Sequence, residues 1–292
     1  LAMTAAASGL SPVAMIKHRF GGLAGIRSLK TLDDSHIEPD SVQQTAAIFS
    51  SIHDKIKASA RSYMMTMEAE SVDDAVTEFE QVWQHSDKAS IEAFTLPETK
   101  RQTKQLWVAN TQVNFCAKAY PTVTMEHADA AALSVLGGFM RNGYLHTAIR
   151  EQGGAYGGGA MHDTNIAAFK FFSYRDPRLT ETLEDFDKAI DWVLDNTHEY
   201  RQLEEAILGV IGNMDKPGSP AGEAKNAFHN ELHGRTKEKL QQFRQRVLAV
   251  TLDDIKRVTD NYLKQGDASV AVITNAATHE TIGDLGMEVI KL

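Results

Sequence analysis

The segment that most restricts the fold runs from Arg150 to Gly159, where Gly153, Gly154, Gly157, Gly158 and Gly159 interrupt an otherwise regular pattern. A helical run ends near Arg150, strand-like runs follow at 155–162 and 167–174, and Asp176-Pro177 marks a turn. A phosphate-binding βαβ unit needs the opposite order, strand before helix, and neither G-x-x-x-x-G-K-[ST] nor G-x-G-x-x-G occurs in the chain. Both observations argue against a nucleotide site.

Apolar residues recurring three and four apart predict helices over 41–59, 124–150, 180–196, 199–213, 221–232, 236–249 and 253–264, with short ones within 3–32 and at 279–285. Alternation predicts strands at 61–68, 105–119 and 268–274, the second of them long or bent. Residues 84–104, with Pro97 and mixed charge, read as a linker. The chain has 292 residues, enough for two cores. Strands and helices thus mix: 95–292 holds both in clear order, and 1–94 is mostly helical. The run at 61–68 is the lone strand of that first part, and a lone strand makes no sheet.

Charge and composition narrow the partners. The chain carries 30 Lys and Arg against 39 Asp and Glu, net −9, and its basic residues are not clustered. Neutralising nucleic-acid phosphates needs such clusters, so no nucleic-acid partner is expected. No apolar run is long enough to span a bilayer, and no membrane partner is expected either. Cys116 has no second cysteine to pair with, which fits a reducing compartment such as the cytoplasm or an organelle matrix. It lies in an alternating stretch and reads as packing, not as a nucleophile. The opening residues lack an initiator Met and a basic n-region, so they are expected to be a cut through a helix and not a leader.

Two constellations could carry chemistry. His229 and His233 are four apart on a helical run with Glu231 between them, a spacing that puts both rings on one face. The string H-N-E-L-H matches neither H-E-x-x-H nor H-x-x-E-H, so an exposed helical pair is the simpler reading, and no metal site is expected here. The second constellation is Arg150 with Tyr156. Arg150 closes a helix, Tyr156 opens a strand six residues later, and Gly153 and Gly154 permit the reversal between them. A guanidinium and a phenol so placed could both donate to a carbonyl oxygen that gains charge during acyl attack. Without further knowledge, an ordinary helix-end Arg and hairpin Tyr is the simpler account.

The phrase Gly143-Tyr-Leu-His through Ile149-Arg150-Glu-Gln-Gly153-Gly154-Ala-Tyr156-Gly resembles the pitrilysin or insulinase-type (M16) zinc metallopeptidases, and within them the presequence peptidase and falcilysin branch. The likeness continues at Phe172-Ser-Tyr-Arg-Asp-Pro177, Asp215-Lys-Pro217, Ser219-Pro220 and Val250-Thr-Leu-Asp-Asp254, and the opening 2–32 resembles the helical part of that family's third domain. The resemblance implies a polypeptide of four α+β domains whose two halves enclose a peptide chamber, with zinc held by H-x-x-E-H and a distal Glu in the first domain.

Residues 1–94 would then be the C-terminal portion of the third domain, mostly helical with an incomplete sheet, and 95–292 the fourth, a complete α+β domain with helices packed on an antiparallel sheet. Arg150 and Tyr156 would hold the substrate and stabilise its tetrahedral intermediate, with Gly153 and Gly154 lining the same substrate-binding bend. No H-x-x-E-H occurs in the chain. Zinc is therefore expected only in the full-length enzyme and none in this fragment, which alone is expected to be inactive. The implied partners are the N-terminal half of the same polypeptide and unstructured peptide substrates. The alternative is a noncatalytic M16-like scaffold or assembly subunit.

Overall fold

The computed structural model describes residues 1–35, 39–83, 94–96, 99 and 101–292. They divide into two compact units: one comprises Leu1–Ser28, Pro97–Lys216 and Lys237–Leu292, the other Leu29–Leu96 and Pro217–Thr236. Most of the linker expected at 84–104, namely 84–93, 97, 98 and 100, lies outside the described residues.

The first unit is organised by six strands: β1 (Lys104–Val108), β2 (Phe115–Pro121), β3 (Gly157–Asp163), β4 (Ala168–Tyr174), β5 (Ser269–Thr274) and β6 (Glu288–Lys291), in the order β3-β4-β2-β5-β1-β6. The pairs β3–β4, β4–β2 and β2–β5 are antiparallel, as expected, whereas β1 runs parallel to both β5 and β6. The run read as one strand at 105–119 is two strands, because β5 inserts between them and pairs with β1 on one side and β2 on the other.

Alternation along the strands sorts side chains to two cores. Cys116, Tyr120, Phe169, Phe171, Val270 and Val272 join Leu133, Phe139, Phe186 and Val193 on one face. Ala117, Ala119, Ala168, Ala271 and Ile273 point the other way, toward Ala2, Ala5 and Ala6. Alanine on both sides lets the helix Ala2–Ala7 lie close against the strands. Each large side chain removed from water contributes about 1.5–3 kcal/mol, so the first face dominates stability.

Helices fall close to their predicted spans: Thr180–Asp195, Tyr200–Met214, Lys237–Leu248 and Leu252–Thr259. The run expected at 124–150 begins later, as the helix Ala130–Met140, and then widens into a π-helical segment, Arg141–Gln152. The helix expected at 279–285 is Ala276–Ile282 instead, because the Asn275 side chain accepts the Thr278 N–H and Gly283, at φ 78°, ends it. Sequence periodicity gave no warning of β6, a short edge strand.

The second unit contains the helices Pro39–Ala58, Val72–Trp83 and Pro220–Leu232. The strand expected at 61–68 is not formed: among the described residues it joins no ladder. Tyr63 instead packs edge-on to Phe79, ring centroids 4.6 Å apart. Among the described residues no helix is long and apolar enough to cross a membrane.

Candidate functional site

The π-helical segment ends by closing its last carbonyls on the glycine bend. The Gly154 N–H donates to the Arg150 carbonyl at 3.1 Å and the Ala155 N–H to that of Ile149 at 3.1 Å. Gly154 has φ 76°, a left-handed conformation that glycine adopts without steric cost. Gly153 has an ordinary backbone but is equally constrained, because a guanidinium fills the space beside it. That group belongs to Arg178, which donates from Nη2 to the Ala148 carbonyl at 3.1 Å and to Asp185 Oδ2 at 3.0 Å.

Arg150 is exposed, and its guanidinium has no hydrogen-bond or ion-pair partner among the described residues. Tyr156 precedes β3, the edge strand of the sheet, and is 67% exposed, with its hydroxyl equally unpartnered among the described residues. The two residues stand at opposite ends of one pinned bend. No contact joins them: the cation over the Tyr156 ring is Arg175, whose Cζ lies 5.9 Å from that ring centroid and 5.6 Å from that of Tyr174. The two tyrosine rings meet edge to face at 5.7 Å. Tyr174 meets Phe115 in the same manner at 5.6 Å, and both border an apolar cavity of about 520 Å³ with Phe172 and Ile273.

Arg175 and Arg178 escaped the sequence reading, since periodicity carries no signal for them. The Asp176-Pro177 turn between them did not escape it. Asp176 is fully buried; its backbone exchanges hydrogen bonds with Asn114 at 2.8 and 2.9 Å, and its carboxylate accepts from the Arg178 N–H at 3.0 Å and the Thr182 hydroxyl at 2.8 Å. This lock fixes the direction of both neighbouring arginines.

Cys116 is buried, and its thiol is pushed up to about 12 by burial and by the Asp176 charge. His229 and His233 are exposed and stacked, ring centroids 6.4 Å apart. Among the described residues no group of three or more His, Cys, Asp or Glu side chains is arranged to hold a metal ion, so these residues do not fit a zinc site.

Residues 104–276 match the family model described as the PreP C-terminal domain. The chain is 32% identical to the mitochondrial presequence protease of Yarrowia lipolytica over 266 residues, covering 90% of this chain and 26% of that protein. It is 36% identical to the mitochondrial presequence protease of Mus musculus over 168 residues, 58% of this chain and 16% of that one. It thus spans about a quarter or less of the length of these relatives. Among solved structures its fold is similar to pitrilysin, with TM-score 0.56 and 12% identity over 77% of this chain and 25% of that one. A protease from Helicobacter pylori gives TM-score 0.55 and 13% identity over 72% of this chain and 53% of that one. With its family model matched across the whole of the glycine bend and the strands that flank it, the chain belongs to the PreP C-terminal domain family.

Proposed function

We propose that this chain is the C-terminal part of a zinc-dependent M16 metalloendopeptidase that degrades unstructured peptides in a closed chamber. Residues 95–292 are its fourth domain and 1–94 the C-terminal portion of its third, with the first 28 residues folded back onto the fourth-domain sheet. The N-terminal half of the polypeptide holds the zinc and the general base, so this chain alone hydrolyses nothing. That reading is supported by the 26% share of the Y. lipolytica presequence protease that the chain spans.

The observation that carries the assignment is the pair of donors, Arg150 and Tyr156, unpartnered among the described residues, at the two ends of a bend pinned by Arg178. When a nucleophile adds to a peptide carbonyl, its oxygen gains negative charge, and fixed donors that need no reorganisation stabilise that charge most. Arg150 and Tyr156 supply such donors. Gly153 and Gly154 keep side chains off the bend, so an extended backbone can lie against it. Because the relatives are named mitochondrial, the compartment proposed is an organelle matrix.

In the full polypeptide, Tyr156→Phe or Arg150→Ala should lower peptide turnover at least about tenfold, the low end for removing a charge-stabilising donor. Undiminished turnover in both variants overturns the assignment and favours a noncatalytic scaffold.

A further inference from the structure

We propose that Arg175 is a substrate-binding residue that selects peptides presenting a carboxylate beside Tyr156, a step that rests on the peptidase reading above. Its backbone has φ 50°, a left-handed conformation that long side chains rarely adopt and that glycine would occupy without strain. The conformation is imposed from both sides. The Arg175 carbonyl accepts the Tyr156 N–H at 3.3 Å, and the next residue, Asp176, is tied to Asn114 in both directions. Strain of this kind persists only where the surroundings impose it, and it clusters at ligand-binding and active sites.

The side chain is held without using its donors. Its guanidinium rests over the rings of Tyr156 and Tyr174, and among the described residues it makes no hydrogen bond or ion pair. Cation–π contact orients the group and leaves its N–H fork open. The adjacent acid, Asp176, is buried and its oxygens are committed to the Arg178 N–H and Thr182. In a chain of net charge −9, an oriented guanidinium with no counter-ion among the described residues is suited to a carboxylate, which its planar fork can bind through two parallel hydrogen bonds. The carboxylate is either an acidic side chain or the C-terminus of the peptide.

The test uses the full polypeptide, chelated so that bound peptides are not turned over, and four labelled peptides of one sequence: Asp or Asn at one position, each ending in a free acid or an amide. Binding is read by fluorescence anisotropy in the native protein, Arg175→Lys and Arg175→Gly. The native protein should bind the carboxylate member of one pair about tenfold more tightly, as expected for a charged hydrogen bond. Arg175→Gly should bring that ratio near one without lowering the melting temperature, and Arg175→Lys should retain part of it. The Asp/Asn and acid/amide pairs separate the two sources.

Equal ratios in native and glycine proteins overturn the proposal, as does a glycine variant that melts earlier and loses all four peptides together. Failure of the peptidase reading shows separately, as undiminished turnover in both Tyr156→Phe and Arg150→Ala, because the binding ratios do not depend on hydrolysis.

Discussion

A Cβ atom on Gly153 would stand 1.9 Å from Nη2 of Arg178, so one residue's guanidinium occupies the side-chain space of the other. The same nitrogen bridges Ala148 at the helix end to Asp185 on the helix Thr180–Asp195. Two adjacent glycines are therefore required for different reasons. Gly153 is required by close approach, and Gly154 by its left-handed backbone.

Gly153→Ala should expel Arg178 from both partners and destabilise the chain by roughly 2–4 kcal/mol, the range for breaking a buried hydrogen-bonded pair. Urea unfolding of Gly153→Ala, Arg178→Ala and the double variant checks this. The double variant should lose much less than the sum of the singles, because both remove one contact. Additive losses would show that the two residues act independently.

Gly143 is likewise filled from outside, since a Cβ there would come within 2.2 Å of the Trp192 ring. That ring also packs on Phe139 and His198, with centroids 5.4 and 4.5 Å away. Gly143→Ala should rotate Trp192 out of this cluster, shift its fluorescence to longer wavelength and cost about 1–3 kcal/mol as an overpacked site. An unchanged emission spectrum would contradict the packing described.

The Cys116 thiol is buried and titrates near 12, so it should be almost entirely protonated and inaccessible in the folded chain. A thiol-specific reagent at mildly alkaline pH should label the native chain negligibly over an hour and label it fully in urea. Rapid labelling of the folded protein would place this strand outside the core.

His162 should make stability depend on pH. Its ring is within 3.2 Å of the Ser134 hydroxyl and 3.1 Å of both the Thr122 hydroxyl and the Val123 carbonyl, and burial pulls its pKa from 6.5 down to about 4. The unfolded ring therefore takes up a proton at a higher pH than the folded one. The stability it contributes is complete above about 6.5 and is lost as pH falls through 4, in total on the order of 3 kcal/mol. His162→Gln cannot titrate, so its urea midpoint should decline less between those limits than that of the native chain. Parallel pH profiles would remove His162 as the cause.

How far the fold and site are legible in sequence varies by element. Helices such as Thr180–Asp195 and Tyr200–Met214 lie within a residue or so of their periodic patterns, because an apolar stripe recurring at helical spacing leaves the local chain no other way to bury it. The reversal between Arg150 and Tyr156 was equally legible, since glycine at Gly154 supplies the one backbone that turns a helix end directly into a strand.

What local pattern cannot report is which distant segment does the burying. Only the tertiary structure brings β5, more than 150 residues downstream, between β1 and β2, turning one apparent strand into two. Only the pairing of Asn114 with Asp176 and the register of β3 on β4 set Arg175 over Tyr156 and Arg178 under Gly153. Alternation names the buried face of a strand, but pairing across such separations is decided by which neighbours together exclude water, and that is a property of the whole packed unit.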